Sequence, residues 1–259
     1  MNHPIIVFPL YPGITQLDFT GPHQAFSRWP DATVIAASMG CRDVDADGLV
    51  FARLADLAKV ERCDVLCVPG GNAADAMLDQ SLLLEIRRLA AAARYVSSVC
   101  TGSLVLAAAG LLSGKRAATH WAFRDLLTQF GVDSDDRRVV RDGNVITGGG
   151  VTAGIDLALT IIAEMAGEAV AQAVQLALEY APAPPCDSGR PELAPPEVLA
   201  AVQARLASRR AQTRVAAEEA TRRLPHGTTG PSPSEMMGTS ADVKPLGIVV
   251  PRTLADGLR

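Results

Sequence analysis

Cys100 has the sequence context of a nucleophile. It follows the apolar run YVSSV and begins the segment CTGSLVLAAAG. A cysteine in a tight turn between a strand and a helix is exposed at the helix N-terminus, where free backbone N–H groups favour the thiolate. Gly102 would let the strand and helix approach closely, as in the nucleophile elbow of hydrolases. From the pattern alone, a small buried core cysteine is at least as good an interpretation, because free cysteines are often buried.

A carboxyl group could serve this thiol from Asp18, in the segment LDFTGPH that follows the first apolar run. Such a group could donate or accept a proton during catalysis. The alternative is that Asp18 caps the N-terminus of a helix that includes GPHQAF.

A glycine turn, Gly70–Gly71, follows the apolar run VLCV. It could aim a backbone N–H at the space above Cys100, and the N–H of Thr101 would be a second donor, so that the pair forms an anion hole. The PGG motif is a weak signal by itself, since many tight turns use it.

The segment RAAT is interpreted as a further strand of the sheet, and it leads to His120. This histidine could pair with the thiol, although a structural hydrogen-bonding role is an equal alternative. Two other patterns are excluded. GLLSGKR is one residue too short for a phosphate loop and has Arg116 where Ser or Thr must hold magnesium. DSDD lacks the glycine and the distal Glu of a calcium loop, and no histidines have zinc-ligand spacing, so we expect no metal.

Strands and helices, which must position these residues, alternate along the chain. Short β-branched runs bounded by Pro or Gly indicate strands at IIVF, TVIAAS, DVLCVPGG, YVSSV and NVITGGG. Helical spacing of Leu, Ile and Ala predicts helices over 82–94, 101–112 and 152–166. This alternation predicts an α/β fold, a doubly wound, mostly parallel sheet with helices on both faces. Ligands bind at the carboxyl ends of such strands, which is where the candidate residues fall.

The chain divides into three predicted segments. Residues 1–180 form the α/β domain, and 181–224 form a Pro-rich arm followed by a helix whose arginines (Arg205, Arg209, Arg210 and Arg214) are interpreted as a solvated face. Residues 225–259 have too little apolar density to fold alone and are predicted to be disordered.

Composition excludes several classes of partner. Of 259 residues, 48% are hydrophobic, and the formal net charge is -4, so neither nucleic acid nor a membrane is expected as a partner. No signal peptide or membrane helix is recognised, and five cysteines without a C-x-x-C motif favour reduced thiols. We expect a cytoplasmic protein.

Four blocks resemble the DJ-1/PfpI superfamily of cysteine-bearing, flavodoxin-like proteins. They are LDFTGPH, VPGGNAADAM, SVCTGSLVLAAAGLLSGKRAATHW and GGGVTAGIDLAL, and the resemblance spans about 4–223. It is greatest to the isonitrile hydratase branch. The resemblance implies that Cys100 is the nucleophile, that Thr101 is the residue after it, that Asp18 replaces a glutamate of other branches, and that Gly71 lies in the anion-hole turn. It also implies a homodimer, no cofactor, and conversion of an isonitrile to a formamide.

Two alternatives remain open. One is different cysteine chemistry, such as peptidase, glyoxalase or deglycase activity, or a redox-sensing role. The other is a ligand-binding module, because the domain also resembles the sensor half of AraC-type regulators. Such regulators carry two helix-turn-helix units, and the 63 residues after Pro196 show no second pair of patterned helices.

Overall fold

A seven-stranded sheet forms the centre of the protein, which we describe from a computed structural model covering residues 3–224. Its strand order is β10-β11-β7-β6-β1-β2-β5, in which β10 is antiparallel to β11 and the other pairs are parallel. Two short two-stranded sheets, β3-β4 and β8-β9, lie outside it. The strands are β1 (Ile5–Pro9), β2 (Thr33–Ser38), β3 (Val44–Ala46), β4 (Leu49–Phe51), β5 (Ala55–Asp56), β6 (Val65–Val68), β7 (Tyr95–Val99), β8 (Arg116–Ala117), β9 (Asp133–Ser134), β10 (Val139–Asp142) and β11 (Val145–Gly148).

The helices fall into two groups that cover the two faces of the sheet. α1 packs against α6, and α6 against α7, on one face; α2, α3, α4 and α8 pack together on the other. Since β6 and β7 are covered on both sides, every residue in them is buried. The helices are α1 (Gln16–Phe26), α2 (Ala73–Leu78), α3 (Gln80–Ala92), α4 (Gly102–Ala108), α5 (Arg124–Leu127), α6 (Ala153–Ala166), α7 (Glu168–Ala177) and α8 (Pro196–Arg223).

The predicted α/β class is confirmed, with a mostly parallel sheet between two helical layers. One detail of the prediction is wrong, since RAAT contributes no strand to the central sheet. Its first two residues form β8, which pairs with β9 in a separate small sheet. The antiparallel edge strand β10 was not predicted.

The C-terminal helix α8 packs across α2 and α4 and against the 3-10 turn Trp121–Phe123. Small residues line its buried face, namely Thr213, Ala216, Ala217 and Ala220. This spacing, roughly one turn apart, lets the helix lie close to the domain. The segment 181–195 before it contains no helix or strand. The tail predicted to be disordered, 225–259, lies outside the described residues.

Among residues 3–224, no helix is both long enough and apolar enough to cross a membrane.

Candidate active site

Cys100 lies at the turn between β7 and α4 in a left-handed backbone conformation, with φ +57°. This conformation is unfavourable for a residue with a side chain, and it persists only where the surroundings hold it. Here the Cys100 N–H donates to the carbonyls of Gly148 (3.1 Å) and Gly149 (2.8 Å). Its own carbonyl accepts from the hydroxyls of Thr119 and Ser103, both at 3.0 Å. The turn is therefore held by β11 and by the segment after β8.

Gly102 permits the start of α4 to approach the end of β6 closely, and the Cys100 turn depends on this approach. A Cβ atom at Gly102 would lie 2.2 Å from the carbonyl oxygen of Val68 and 2.8 Å from that of Pro69. Any side chain would push the start of α4 away from the end of β6, and Cys100 would move with it. The predicted role of Gly102 is thus supported by the packing.

Asp18 reaches the same place from the first turn of α1. The N-cap of that helix is Thr15, so Asp18 is not the cap. Its side chain is fully buried, and Oδ2 accepts the N–H of Gly70 at 3.1 Å. Gly70 has no room for a side chain, because a Cβ there would lie 2.6 Å from both Asp18 Oδ2 and the Thr101 nitrogen. Asp18, the glycine turn and the start of α4 therefore meet at one point.

The thiol of Cys100 adjoins the Asp18 carboxyl, whose second oxygen, Oδ1, receives no N–H or O–H. Burial raises the pKa of Asp18 to about 7, against the lowering effects of hydrogen bonds from Cys100 and the Gly70 N–H. Burial, the Asp18 charge and the hydrogen bond to Asp18 raise the pKa of Cys100 well above its usual range, although the Thr101 N–H opposes this. Burial first, and the facing Asp18 carboxyl second, thus favour the thiol form of Cys100, whereas its sequence context predicted a thiolate.

Thr101 and the glycine turn are tied to each other. The Thr101 hydroxyl donates to the Gly71 carbonyl and accepts the Gly71 N–H, both at 2.9 Å. The N–H of Gly70 is bonded to Asp18, and that of Thr101 acts on the Cys100 sulfur. In this arrangement the N–H groups of both glycines are occupied. An anion hole at Gly70 and Gly71 would require these bonds to open.

His120 follows Thr119, whose hydroxyl bonds to the Cys100 carbonyl, but its own ring is engaged in the next turn. Its Nδ1 accepts the N–H of Ala122 at 3.2 Å, which caps the 3-10 turn. Burial, with the charges of Arg209 and Arg124, lowers its pKa to about 4, so the ring is neutral at neutral pH. Among the described residues, no hydrogen bond joins His120 to Cys100 or Asp18. This geometry fits the structural hydrogen-bonding role that the sequence left open. A catalytic role of His120 stays a prediction.

Sequence reasoning missed two residues of this site, Tyr11 and Arg209. Tyr11, just after β1, is buried and donates its hydroxyl to the Pro69 carbonyl at 2.7 Å. Its place after a central strand could have signalled it. Arg209 of α8 was interpreted as part of a solvated face, but its Cζ lies 5.9 Å from the centre of the buried Phe123 ring. Its position four residues before the buried Thr213 could have signalled an inward face.

A cavity of about 230 Å³ adjoins the turn. Thr119 and Gly149 line it and also bond to the Cys100 backbone, whereas Cys100, Thr101 and Asp18 are not among its lining residues. His120 and four arginines also line it, the latter being Arg124, Arg137, Arg138 and Arg190. Within residues 3–224, no three His, Cys, Asp or Glu side chains are grouped so as to hold a metal ion.

Residues 5–164 match the DJ-1/PfpI family. The strained cysteine turn at the end of a parallel sheet agrees with this match. The chain belongs to this family. It is 50% identical over 196 residues to an isonitrile hydratase of Pseudomonas putida, covering 75% of this chain and 86% of that protein. It is 31% identical over 182 residues to the HTH-type transcriptional regulator CdhR of Pseudomonas aeruginosa, covering 63% of this chain but 51% of the regulator.

A solved structure of a DJ-1/PfpI relative, described as a THiJ/PfpI family protein from Pseudomonas syringae, has the same fold. It superposes with a TM-score of 0.81 at 37% identity, covering 84% of this chain and 91% of the other. Because the coverage extends beyond the 160 residues of the family match, part of the C-terminal region also has a counterpart there.

Proposed function

We propose that this chain is a hydratase that adds water to an isonitrile, R–N≡C, and releases an N-substituted formamide. The observation that carries the proposal is the buried contact between Cys100 and Asp18, a nucleophile beside an acid with a pKa of about 7. A group with such a pKa can both accept and donate a proton at neutral pH. The similarity to an isonitrile hydratase supports this choice of substrate class.

The reaction would begin with transfer of the Cys100 thiol proton to the Asp18 carboxylate. The sulfur then bonds to the terminal carbon of the isonitrile while Asp18 delivers the proton to that carbon, which gives the thioimidate R–N=CH–S–Cys100. Because burial and the Asp18 charge favour the thiol form of Cys100, its proton must leave as the bond forms. Asp18 is the adjacent group that can take it.

Water would complete the cycle by attacking the same carbon. Asp18 accepts a proton from the water and passes it to the nitrogen, which gives the adduct R–NH–CH(OH)–S–Cys100, and this adduct collapses. The carbon–sulfur bond breaks, the hydroxyl proton returns to the sulfur by way of Asp18, and R–NH–CHO leaves. No electron is transferred to another species, so the proposal needs no cofactor.

Thr101 would orient the water in this scheme. Its hydroxyl proton is engaged by Gly71, but a hydroxyl oxygen has a second lone pair that can accept from water. Its N–H acts on the Cys100 sulfur and would stabilise charge there.

We assign the R group to the cavity beside Thr119 and Gly149. His120, on its wall, would contact the R group as a neutral ring.

The proposal includes a cytoplasmic homodimer. All five cysteines are free, as expected in a reducing compartment. Leu176, on the outer face of α7, is 81% exposed and is a candidate contact between copies. Light scattering after gel filtration would give the mass, and Leu176→Glu would give a smaller particle if this face is the interface.

The test of the activity is incubation of the purified protein with cyclohexyl isocyanide, with N-cyclohexylformamide quantified by mass spectrometry. Cys100→Ser and the exposed-site control Cys186→Ser are run in parallel. A separate incubation with methylglyoxal, followed for lactate, tests the glyoxalase alternative. Formamide from the parent and from Cys186→Ser, but not from Cys100→Ser, supports the proposal; lactate without formamide overturns it.

A second candidate function is binding without turnover, as in a sensor. The similarity to the regulator CdhR favours it, although the chain spans about half the length of that protein. A rise in melting temperature with an isonitrile, with no formamide over many hours, would favour this candidate.

A further inference from the structure

Arginine side chains are concentrated on the wall of the cavity beside the Cys100 turn. Arg124, Arg137, Arg138 and Arg190 line it, together with the acidic residue Asp136. Arg124 belongs to α5, Arg137 and Arg138 lie between β9 and β10, and Arg190 lies in the segment 181–195 before α8. A cleft to which separate segments bring the same sign of charge attracts ligands of the opposite sign.

Two of these arginines are neutralised by carboxylates that do not line the cavity. Arg137 pairs with Asp135 through two bonds, Nε to Oδ1 at 3.1 Å and Nη2 to Oδ2 at 2.6 Å. The Nε of Arg138 donates to Asp156 Oδ2 at 2.7 Å. These pairs build the wall but leave little charge for a ligand.

Arg124 has an unused donor. Its Nη2 donates to the Asp136 carbonyl at 3.4 Å, but its Nε is buried and has no hydrogen-bond partner among the described residues. A buried N–H without an acceptor destabilises the protein, and a ligand oxygen in the cavity would relieve this.

Arg190 is exposed, and its carbonyl accepts the N–H groups of Leu193 and Ala194, both at 3.1 Å, so its backbone is held in place. Within residues 3–224, neither Arg190 nor Arg124 forms an ion pair, and each of the other two lining arginines pairs with an aspartate outside the cavity. Once the Asp136 carboxylate is also counted, the cavity has one net positive charge.

Neutral donors lie on the same wall. His120 Nδ1 accepts a backbone N–H, so the ring proton is on Nε2, which makes no hydrogen bond in the part of the chain that the structure describes. The N–H groups of Gly150 and Val151, just before the 14-residue helix α6, also donate to no atom of residues 3–224. Free N–H groups at a helix N-terminus favour negatively charged ligands.

The cavity also has room for a ring that bears an anionic group. A cavity of about 150 Å³ holds a benzene ring, and this one measures about 230 Å³. Thr119 and Gly149 on its wall bond to the Cys100 backbone, whereas Arg190 is exposed. A ligand whose reactive carbon lies toward Cys100 would therefore extend toward the exposed arginine.

We propose that this cavity binds the carboxylate of a small organic acid, with Arg124 and Arg190 as its cationic partners. For turnover, which rests on the proposed function, the acid is an isonitrile whose R group bears the carboxylate. A guanidinium matches a carboxylate in shape, and the single negative charge equals the net charge of the cavity. A phosphate monoester, which carries about −1.5 to −2 at pH 7, matches it less well.

Binding of reaction products tests the site without turnover. trans-4-Formamidocyclohexanecarboxylate differs from N-cyclohexylformamide only by its carboxylate, and isothermal titration calorimetry gives the Kd of each. The titrations use the parent, Arg124→Gln, Arg190→Gln and, as matched control, Arg205→Gln, which removes an exposed arginine of α8. Cyclohexanecarboxylate and inorganic phosphate are titrated into the parent, which distinguishes a substrate carboxylate from a free acid or another anion.

We expect the carboxylate to tighten binding about tenfold or more in the parent and in Arg205→Gln, because a bond between charged groups adds that much. Arg124→Gln and Arg190→Gln should each lose most of this preference. Thermal melts identify a variant that folds poorly, and Arg190→Gln, at an exposed position, keeps the test decisive if Arg124→Gln does so.

Three results would overturn the proposal. They are equal Kd values for the two formamides, no measurable binding of the formamido acid, and a carboxylate preference that the folded arginine variants keep. Phosphate bound more tightly than either acid overturns the assignment to a carboxylate. Cyclohexanecarboxylate bound as tightly as the formamido acid supports the carboxylate site but overturns its assignment to the isonitrile.

Activity is measured separately, so that the two hypotheses can fail independently. If the parent hydrates neither cyclohexyl isocyanide nor trans-4-isocyanocyclohexanecarboxylate, but the carboxylate preference depends on the arginines, the proposed function fails and the carboxylate site stands. If cyclohexyl isocyanide is hydrated and the two formamides bind alike, the reverse holds.

Discussion

The carboxyl of Asp18 and the thiol of Cys100 are buried side by side and act on each other. Burial raises the pKa of both; beyond that, the Asp18 charge raises the pKa of Cys100 further, while the hydrogen bond from the thiol lowers that of Asp18. These shifts favour a thiol beside a carboxyl group whose pKa of about 7 lies close to neutral pH. This buried pair differs from the exposed thiolate at a helix N-terminus that the sequence context of Cys100 predicted. Proton transfer between Cys100 and Asp18 is therefore the first event to test.

Cys100→Ser should keep the fold and lose hydration. The hydroxyl fits the space of the thiol, and the backbone hydrogen bonds that hold the turn do not involve the side chain. A serine hydroxyl is far harder to deprotonate than a thiol, so we expect at least about a 1,000-fold loss of kcat. Formamide production and thermal melting of the two proteins provide the check. Substantial residual activity would argue against a covalent thioimidate.

Alkylation should mark Cys100 before Cys67. Burial raises the pKa of both thiols, that of Cys67 to about 12, but Cys100 is 4% exposed whereas Cys67 is fully buried, so the reagent reaches Cys100 more easily. Cys41 and Cys186, which are exposed, should react first and so calibrate the reagent. Peptide mapping after brief iodoacetamide treatment gives the order, and Cys67 labelled ahead of Cys100 would reverse the assignment.

Asp18→Asn should stabilise the fold at high pH. An aspartate whose folded pKa is about 7 rather than 3.8 favours folding less once it ionises, so the parent loses stability as pH rises from about 4 to 7. The asparagine side chain does not ionise and has no such penalty. We expect the free energy of unfolding of Asp18→Asn to exceed that of the parent by an amount that grows by roughly 2–4 kcal/mol between pH 4 and pH 8. Urea titrations at both pH values measure this, with the exposed Asp45→Asn as control; an advantage that is constant with pH would contradict the raised pKa.

Gly102→Ala should destabilise the protein strongly. The added Cβ would lie 2.2 Å from the Val68 carbonyl oxygen, which is backbone and cannot rotate away. We expect a loss of about 3 kcal/mol or more, together with loss of activity as the Cys100 turn shifts. Gly189→Ala is the matched control, since nothing lies within 4 Å of a Cβ there. Equal melting temperatures for the two variants would show that α4 tolerates displacement.

The sequence predicted those parts of the protein that local patterns encode. TVIAAS and YVSSV coincide with β2 and β7, because β-branched residues favour strands. The approach of α4 to β6 could be inferred from Gly102 alone. By contrast, β10 is a half-buried edge strand with polar residues, and only the first two residues of RAAT form a strand, which pairs with β9 outside the central sheet.

The electrostatics of the site could not be predicted in this way. The position of Cys100 indicated a lowered pKa, but its environment depends on Asp18, 82 residues earlier in the sequence. The bonds of Gly70 to Asp18 and of Gly71 to Thr101 likewise join distant segments. Arg209 belongs to an arginine-rich helix in which no local feature except helical phase separates the inward residue from the solvated ones.

The role of Asp18 in turnover is tested by measuring two rates on Asp18→Asn. Removal of the carboxylate charge beside the sulfur should lower the pKa of Cys100 and so speed its alkylation near neutral pH. Hydration needs a group that passes protons to the isonitrile carbon and takes one from water, which an amide cannot do, so it should fall by at least about 100-fold. The two rates should therefore move in opposite directions, with Asp45→Asn as control for both. A modest fall in both rates together would mean that Asp18 positions the thiol without carrying the proton.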